Sequence, residues 1–218
     1  MSLGTRYRLV TDRIARAAES CGRDPADVTL VAVSKTVSVD TMRALADLGH
    51  RDFGESRWQE AEGKLAAMPN DTVWHFIGHL QSNKAKRIAA CFPWIHTLAT
   101  VSALNEVAKA AAGNQVLIEV NTSKEAQKSG VFLEGVGTFA RAVIECPHVR
   151  LRGLMTIGPN VEDANAIRDC FRALRKAQDE LNLGLDRLSM GMSGDFEMAI
   201  REGSTHVRVG SLLFGDRS

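Results

Sequence analysis

Eight short apolar or β-branched runs recur along the chain, at Thr29 to Ser34, Arg51 to Gly54, Val73 to Gly78, Trp94 to Ala99, Gln115 to Asn121, Leu151 to Ile157, Arg187 to Met190 and His206 to Gly210, with longer segments of helical period between them. Several, such as Leu30-Val31-Ala32-Val33 and Val116-Leu117-Ile118, are apolar without alternation. Parallel strands covered on both faces have that pattern. Repeated βα units imply a parallel sheet, and eight of them within 218 residues predict a closed barrel, a fold that runs from about 200 residues upward. The expected architecture is therefore α/β, a single (β/α)8 TIM barrel spanning residues 1–218 as one domain. No Pro/Gly/Ser-rich linker or low-complexity tract divides it. An open doubly wound sheet is the alternative, and the lack of a G-x-G-x-x-G turn after the first run counts only against its dinucleotide-binding version.

The intervening segments support this rhythm. From Val161 to Leu183, Ala164, Ile167, Phe171, Leu174 and Leu181 recur at spacings of three, four or seven, while Arg168, Arg172, Arg175 and Asp179 take other positions. That is an amphipathic helix with one buried stripe. Similar helices are expected around Thr5 to Cys21, Val39 to Leu48, Asn83 to Cys91, Ser102 to Ala112 and Gly135 to Glu145, with Gly49, Gly113 and Gly184 near helix ends.

Composition narrows the functional classes. Apolar residues at 44% and charged residues at 24% are ordinary globular usage. A net charge of +1 provides no broad basic surface for nucleic acid or an anionic membrane, so neither is an expected partner. Met1 to Val10 lacks a signal-peptide pattern, and no apolar run reaches membrane-spanning length. The chain is expected to be soluble and cytoplasmic. Cys21, Cys91, Cys146 and Cys170 form no CxxC pair and are expected to be reduced, partly buried thiols.

Lys35 closes the first run and is expected at the C-terminal mouth of the barrel, where barrel enzymes collect their working groups. A lysine amine there can form a Schiff base with an aldehyde, although a solvated strand-end lysine has the same sequence position. Leu188-Ser189-Met190-Gly191-Met192-Ser193-Gly194-Asp195 follows the seventh strand and Val207-Arg208-Val209-Gly210-Ser211 the eighth. Glycines admit an anion close to the backbone, Ser193 and Ser211 add hydroxyl donors, and barrels often bind phosphate after strands seven and eight. Ser193 is also a plausible cap for a helix starting near Gly194. Arg208, two residues before Gly210, projects from the same side of its strand. A mouth lysine, a phosphate cradle and a donor-only side chain fit an aldehyde bearing a phosphate and a ring nitrogen. Pyridoxal 5'-phosphate has all three features.

The chain also contains Val31-Ala32-Val33-Ser34-Lys35, Phe53-Gly54-Glu55, Gln59-Glu60, Trp74-His75-Phe76-Ile77-Gly78, Leu80-Gln81-Ser82-Asn83-Lys84, Lys128-Ser129-Gly130, Arg152-Gly153-Leu154-Met155, Ser189-Met190-Gly191-Met192-Ser193 and Arg208-Val209-Gly210-Ser211. In order and spacing it resembles the pyridoxal phosphate homeostasis proteins, barrels related to the N-terminal domain of alanine racemase. The resemblance implies that Lys35 is the Schiff-base lysine, that Ser193, Gly210 and Ser211 bind phosphate, and that Arg208 faces the pyridine nitrogen. Ser56, Met155 and Asn83 complete the expected cofactor-binding set. Ser56 stands where the family usually has asparagine, and its shorter side chain needs a water to reach the same partner. Asn83 and Lys84 also read as the start of a helix capped by Ser82, and Met155 as barrel packing. His75 and His79 straddle a strand and its exit, so non-metal roles are expected for both. Trp58, Trp74 and Trp94 read as packing residues.

Two function classes follow: a protein that holds the cofactor, with apo-enzymes that use it as possible recipients, or an amino-acid racemase or decarboxylase. Alanine racemases supply a tyrosine base from an additional domain, whereas Tyr7 is the only tyrosine here. Arg208 cannot act as an acidic partner for the pyridine nitrogen, although alanine racemases also place arginine there. No catalytic or metal-binding residue is therefore expected. An aldolase using Lys35 directly on a sugar phosphate is a third reading, and the oligomeric state is left open.

Overall fold

Each of the eight apolar runs forms a strand of a parallel sheet that closes on itself. The computed structural model describes residues 1–123, 125 and 129–215. In chain order the strands are β1 (Thr29–Val33), β2 (Asp52–Glu55), β3 (Val73–Phe76), β4 (Trp94–Leu98), β5 (Asn114–Asn121), β6 (Val131–Phe132), β7 (Val149–Met155), β8 (Arg187–Ser189) and β9 (His206–Val209). The ring runs β1-β2-β3-β4-β5-β7-β8-β9, and β9 returns to β1 with Val31 beside Arg208. The open-sheet alternative is thereby excluded. β6 pairs only with β5, outside the ring, and is too short to give a sequence signal.

The described helices are α1 (Leu3–Glu19), α2 (Val39–Asp47), α3 (Trp58–Leu65), α4 (Ser82–Cys91), α5 (Val101–Ala108), α6 (Val136–Glu145), α7 (Ala164–Leu181), α8 (Phe196–Arg201) and α9 (Ser211–Phe214). α1 begins where the Ser2 side chain accepts from the Thr5 N–H, and it packs Val10, Ile14, Ala17 and Ala18 inward against α8 and α9. α7 is capped by Asp163 and ends at Asn182, which takes the left-handed conformation with Gly184 just beyond. Ser82 is the first residue of α4 rather than its cap; Gln81 holds that position without a side-chain bond. Cys21 and Cys91 are exposed rather than partly buried, and all four cysteines are free. No helix among the described residues is long and apolar enough to cross a membrane.

Alternation along the strands separates two cores. Outward residues such as Phe53, Trp74, Phe76, Ile95 and Val207 pack against the helices. The lumen holds Val31, Leu117 and Met155, together with a buried polar group of His75, His96, Ser189, His206 and Arg208. Barrel interiors are usually filled by branched aliphatic side chains. This interior is polar, and every such group needs a partner to offset its lost hydration.

Candidate functional site

A cavity of about 680 Å³ opens at the C-terminal mouth and is lined by Lys35, Ser56, Ser193, Arg208, Gly210 and Ser211 along with Val33, Ile77, Ile157, Met192 and Gly194. Six residues chosen from sequence thus meet in one place. The other two do not line it. Met155 is fully buried near the end of β7, and Asn83 is exposed in the first turn of α4.

The turn carrying Lys35 is held on both sides. The Ser34 carbonyl accepts from the Lys64 ammonium at 2.8 Å, and its hydroxyl donates to Glu55 at 2.7 Å. Lys64 also donates to Glu55 at 2.8 Å, forming a buried ion pair at the root of the turn. Beyond Lys35, Thr36 adopts a positive φ of 65° and its N–H donates to Glu60 at 3.0 Å. Residues other than glycine seldom occupy that region, so the carboxylate stabilises an otherwise costly backbone turn.

On the opposite side, Ser193 does not cap α8; Asp195 occupies the cap position. The Ser193 hydroxyl instead accepts from the Gly210 N–H at 3.4 Å, tying the loop after β8 to the exit of β9. Gly191 makes the first loop possible. Its φ is +94°, and a Cβ there would lie 2.6 Å from the Ala199 side chain. Gly78 forms another close approach, since a side chain on it would collide with the Ser56 backbone. Ser129 lies 3.4 Å from His79 at the rim, whereas Lys128 of the same motif falls outside the described residues.

Arg208 is almost wholly buried, donating from Nη1 to Ser189 at 2.6 Å and from Nη2 to the Thr156 carbonyl at 2.9 Å. Burial draws its pKa down to about 10, while the charges of Asp195 and Glu119 oppose the shift. It remains a cation at neutral pH with N–H groups to spare. Burial also pushes the Glu119 carboxyl up to about 7, against the pull of Arg208, and its Oε2 has no hydrogen-bond partner among the described residues. Sequence reading assigns no role to Glu119, Glu55, Lys64 and Ser189: Glu55 and Ser189 stand within the family motifs, whereas Glu119 is a lone charge in an apolar run and Lys64 lies in α3 outside every motif.

The Glu119 shift has a measurable consequence. Below pH 4.5, its ordinary value, the group is protonated in both folded and unfolded chains; between 4.5 and about 7 the unfolded chain ionises first. Stability is therefore present at low pH and lost as pH rises through that window, by up to about 3 kcal/mol. Glu119→Gln should stabilise the cofactor-free protein increasingly from pH 4.5 to 7.5 in urea titrations. A constant difference across that range would contradict the assignment.

A family model described as "Alanine racemase, N-terminal domain" matches residues 10–218. The pyridoxal phosphate homeostasis protein of Pseudomonas aeruginosa is 45% identical over 213 residues, covering 95% of this chain and 93% of that protein. Its counterpart in Aquifex aeolicus is 42% identical over 226 residues, covering 100% and 99%. Among solved structures, PipY of Synechococcus elongatus with PLP bound superposes with a TM-score of 0.80 at 31% identity, covering 94% of this chain and 100% of that one. Alanine racemase from Corynebacterium glutamicum has a TM-score of 0.70 at 17% identity, covering 95% and 62%, a likeness of fold alone.

Proposed function

Because the chain belongs to the pyridoxal phosphate homeostasis family, we propose that it binds pyridoxal 5'-phosphate as one barrel unit and holds it through a Schiff base on Lys35 without fast amino-acid turnover. The convergence of Lys35, Ser193, Arg208, Gly210 and Ser211 on one mouth cavity carries this reading. The fit is chemical as well as spatial. The cavity lies within the usual range of about 300–1,000 Å³ for a small-molecule site, and a buried guanidinium with spare donors suits a pyridine nitrogen that accepts.

Pyridoxal phosphate supplies an aldehyde conjugated to an electron-withdrawing ring. The protein supplies placement. The Glu55–Lys64 pair and Glu60 fix the turn from which Lys35 reaches the cavity. Ser193 and the Gly210-Ser211 turn provide hydroxyl and N–H donors for phosphate, and Arg208 presents a donor to the ring nitrogen. Ser56 belongs to the same proposed set, while Met155 supports the lumen wall and Asn83 is assigned the rim.

The reading as a holder rather than an enzyme rests on what the mouth contains. Tyr7, the only tyrosine in the chain, lies on α1 beside His50, lining a separate cleft with Arg51 and Asp52 at the start of β2. It is therefore at the opposite end of that strand from the mouth. A two-base racemase needs such a group against the substrate carbon. The proposed setting is cytoplasmic, with apo-enzymes that use the cofactor as recipients.

Binding of pyridoxal and pyridoxal phosphate tests the phosphate assignment. The phosphorylated form should bind more tightly, and Ser193→Ala should narrow the gap by about 0.5–1.5 kcal/mol, or up to about 3 where the lost bond is charged. An unchanged preference after altering both Ser193 and Ser211 would reject recognition by these side chains.

A further inference from the structure

Arg208 is the upper end of a hydrogen-bonded chain that crosses the lumen. Its Nη1 lies 2.6 Å from Ser189 Oγ, which lies 2.9 Å from His96 Nδ1. His96 Nε2 lies 3.0 Å from His75 Nδ1, and His75 Nε2 lies 3.0 Å from Asp52 Oδ1. The path runs from β9 through β8, β4 and β3 to β2, ending at a carboxylate that is 30% exposed.

The chemistry of its ends orients every link. Guanidinium can only donate, so Ser189 accepts from Arg208. Ser189 is fully buried, and His96 is the one other hydrogen-bond partner of its hydroxyl among the described residues. Its hydroxyl proton must therefore go to His96 Nδ1, leaving the His96 proton on Nε2. That proton is donated to His75 Nδ1, and His75 in turn donates from Nε2 to Asp52. Reversing the two imidazoles would strand a buried hydroxyl proton and add a second N–H to His75, giving it a charge. The surroundings of His96 agree with a neutral ring: burial holds its pKa well below the usual histidine value, and the Arg208 cation presses it the same way.

We propose that Ser189, His96, His75 and Asp52 are positioning residues that hold Arg208 in register with the cofactor's ring nitrogen through this one-directional chain. The inference rests on the cofactor reading above. A donor-only side chain anchored at Nη1 and Nη2 loses rotational freedom, and its remaining N–H groups keep a fixed aim. The polarity also spares each member of the chain an unsatisfied donor or acceptor, so a break anywhere along the path loosens the guanidinium at its end.

Two measurements test this. Nitrogen NMR of the native protein with 15N-labelled histidine, recorded without cofactor, should show His75 and His96 both as neutral rings protonated at Nε2. A proton on Nδ1 of either ring overturns the chain. The second measurement compares pyridoxal phosphate with an analogue in which carbon replaces the ring nitrogen. Native protein should prefer the nitrogen compound on the order of tenfold, and Ser189→Ala and His96→Phe should each reduce that preference to below about threefold, since a misaimed donor loses its charged hydrogen bond. A merely structural role would weaken both ligands alike, and a native-sized preference retained in both variants overturns the proposal. Native protein that binds neither compound overturns the cofactor reading and the role given to Arg208, while the nitrogen spectra still decide the hydrogen-bond chain independently.

Discussion

Lys35→Ala is expected to abolish covalent retention of pyridoxal phosphate: neither the visible absorption band nor a borohydride-fixed adduct should survive. The expectation is near-total because a Schiff base requires an amine, and methyl cannot substitute for it. The phosphate and ring contacts proposed for Ser193, Ser211 and Arg208 do not involve the Lys35 amine, so weaker reversible binding should persist. That separates a lost bond from a lost fold. An adduct retained at full stoichiometry in the variant would show that another lysine is the partner.

The second large effect concerns stability. Lys64→Met should destabilise the protein by about 3–5 kcal/mol, the usual cost of leaving one member of a buried ion pair without its partner. The two side chains are only 10% and 0% exposed, and Lys64 holds both Glu55 and the Ser34 carbonyl. Methionine preserves much of the volume, so the loss reads mainly the stranded carboxylate rather than a cavity. Urea titration checks the magnitude, and adding Glu55→Gln should recover much of it. A loss below about 1 kcal/mol would place the pair among interactions of surface strength. Because the pair anchors the turn before Lys35, the single variant should also slow formation of the covalent adduct.

The barrel was legible in sequence because its strands are covered on both sides and so read as uninterrupted apolar runs. Lys35, Ser193 and Arg208 were legible for a related reason: each lies at or just beyond a strand end, and strand ends define the mouth. α3 escaped notice because its buried face includes Lys64 and Ala61 beside Trp58, a stripe whose apolar period is broken by a buried charge. The hydrogen-bonded lumen was hidden more deeply. His96 meets Ser189 across 93 positions of sequence, and neither residue's neighbours indicate the other. Sequence leaves Ser193 open between helix cap and phosphate ligand; in the structure Asp195 takes the cap position, and the Ser193 hydroxyl accepts from the Gly210 N–H. Pairing across a closed sheet is set by register and curvature, which local pattern does not encode.

Retention without rapid turnover is tested most directly by incubating pure cofactor-loaded protein with a panel of L- and D-amino acids in heavy water. Both α-proton exchange and product formation should be followed against free pyridoxal phosphate. Exchange should run no more than modestly above that of the free cofactor, with the protein still loaded afterwards. Turnover in the ordinary enzyme range of about 1–10³ per second, abolished by Lys35→Ala, would contradict it.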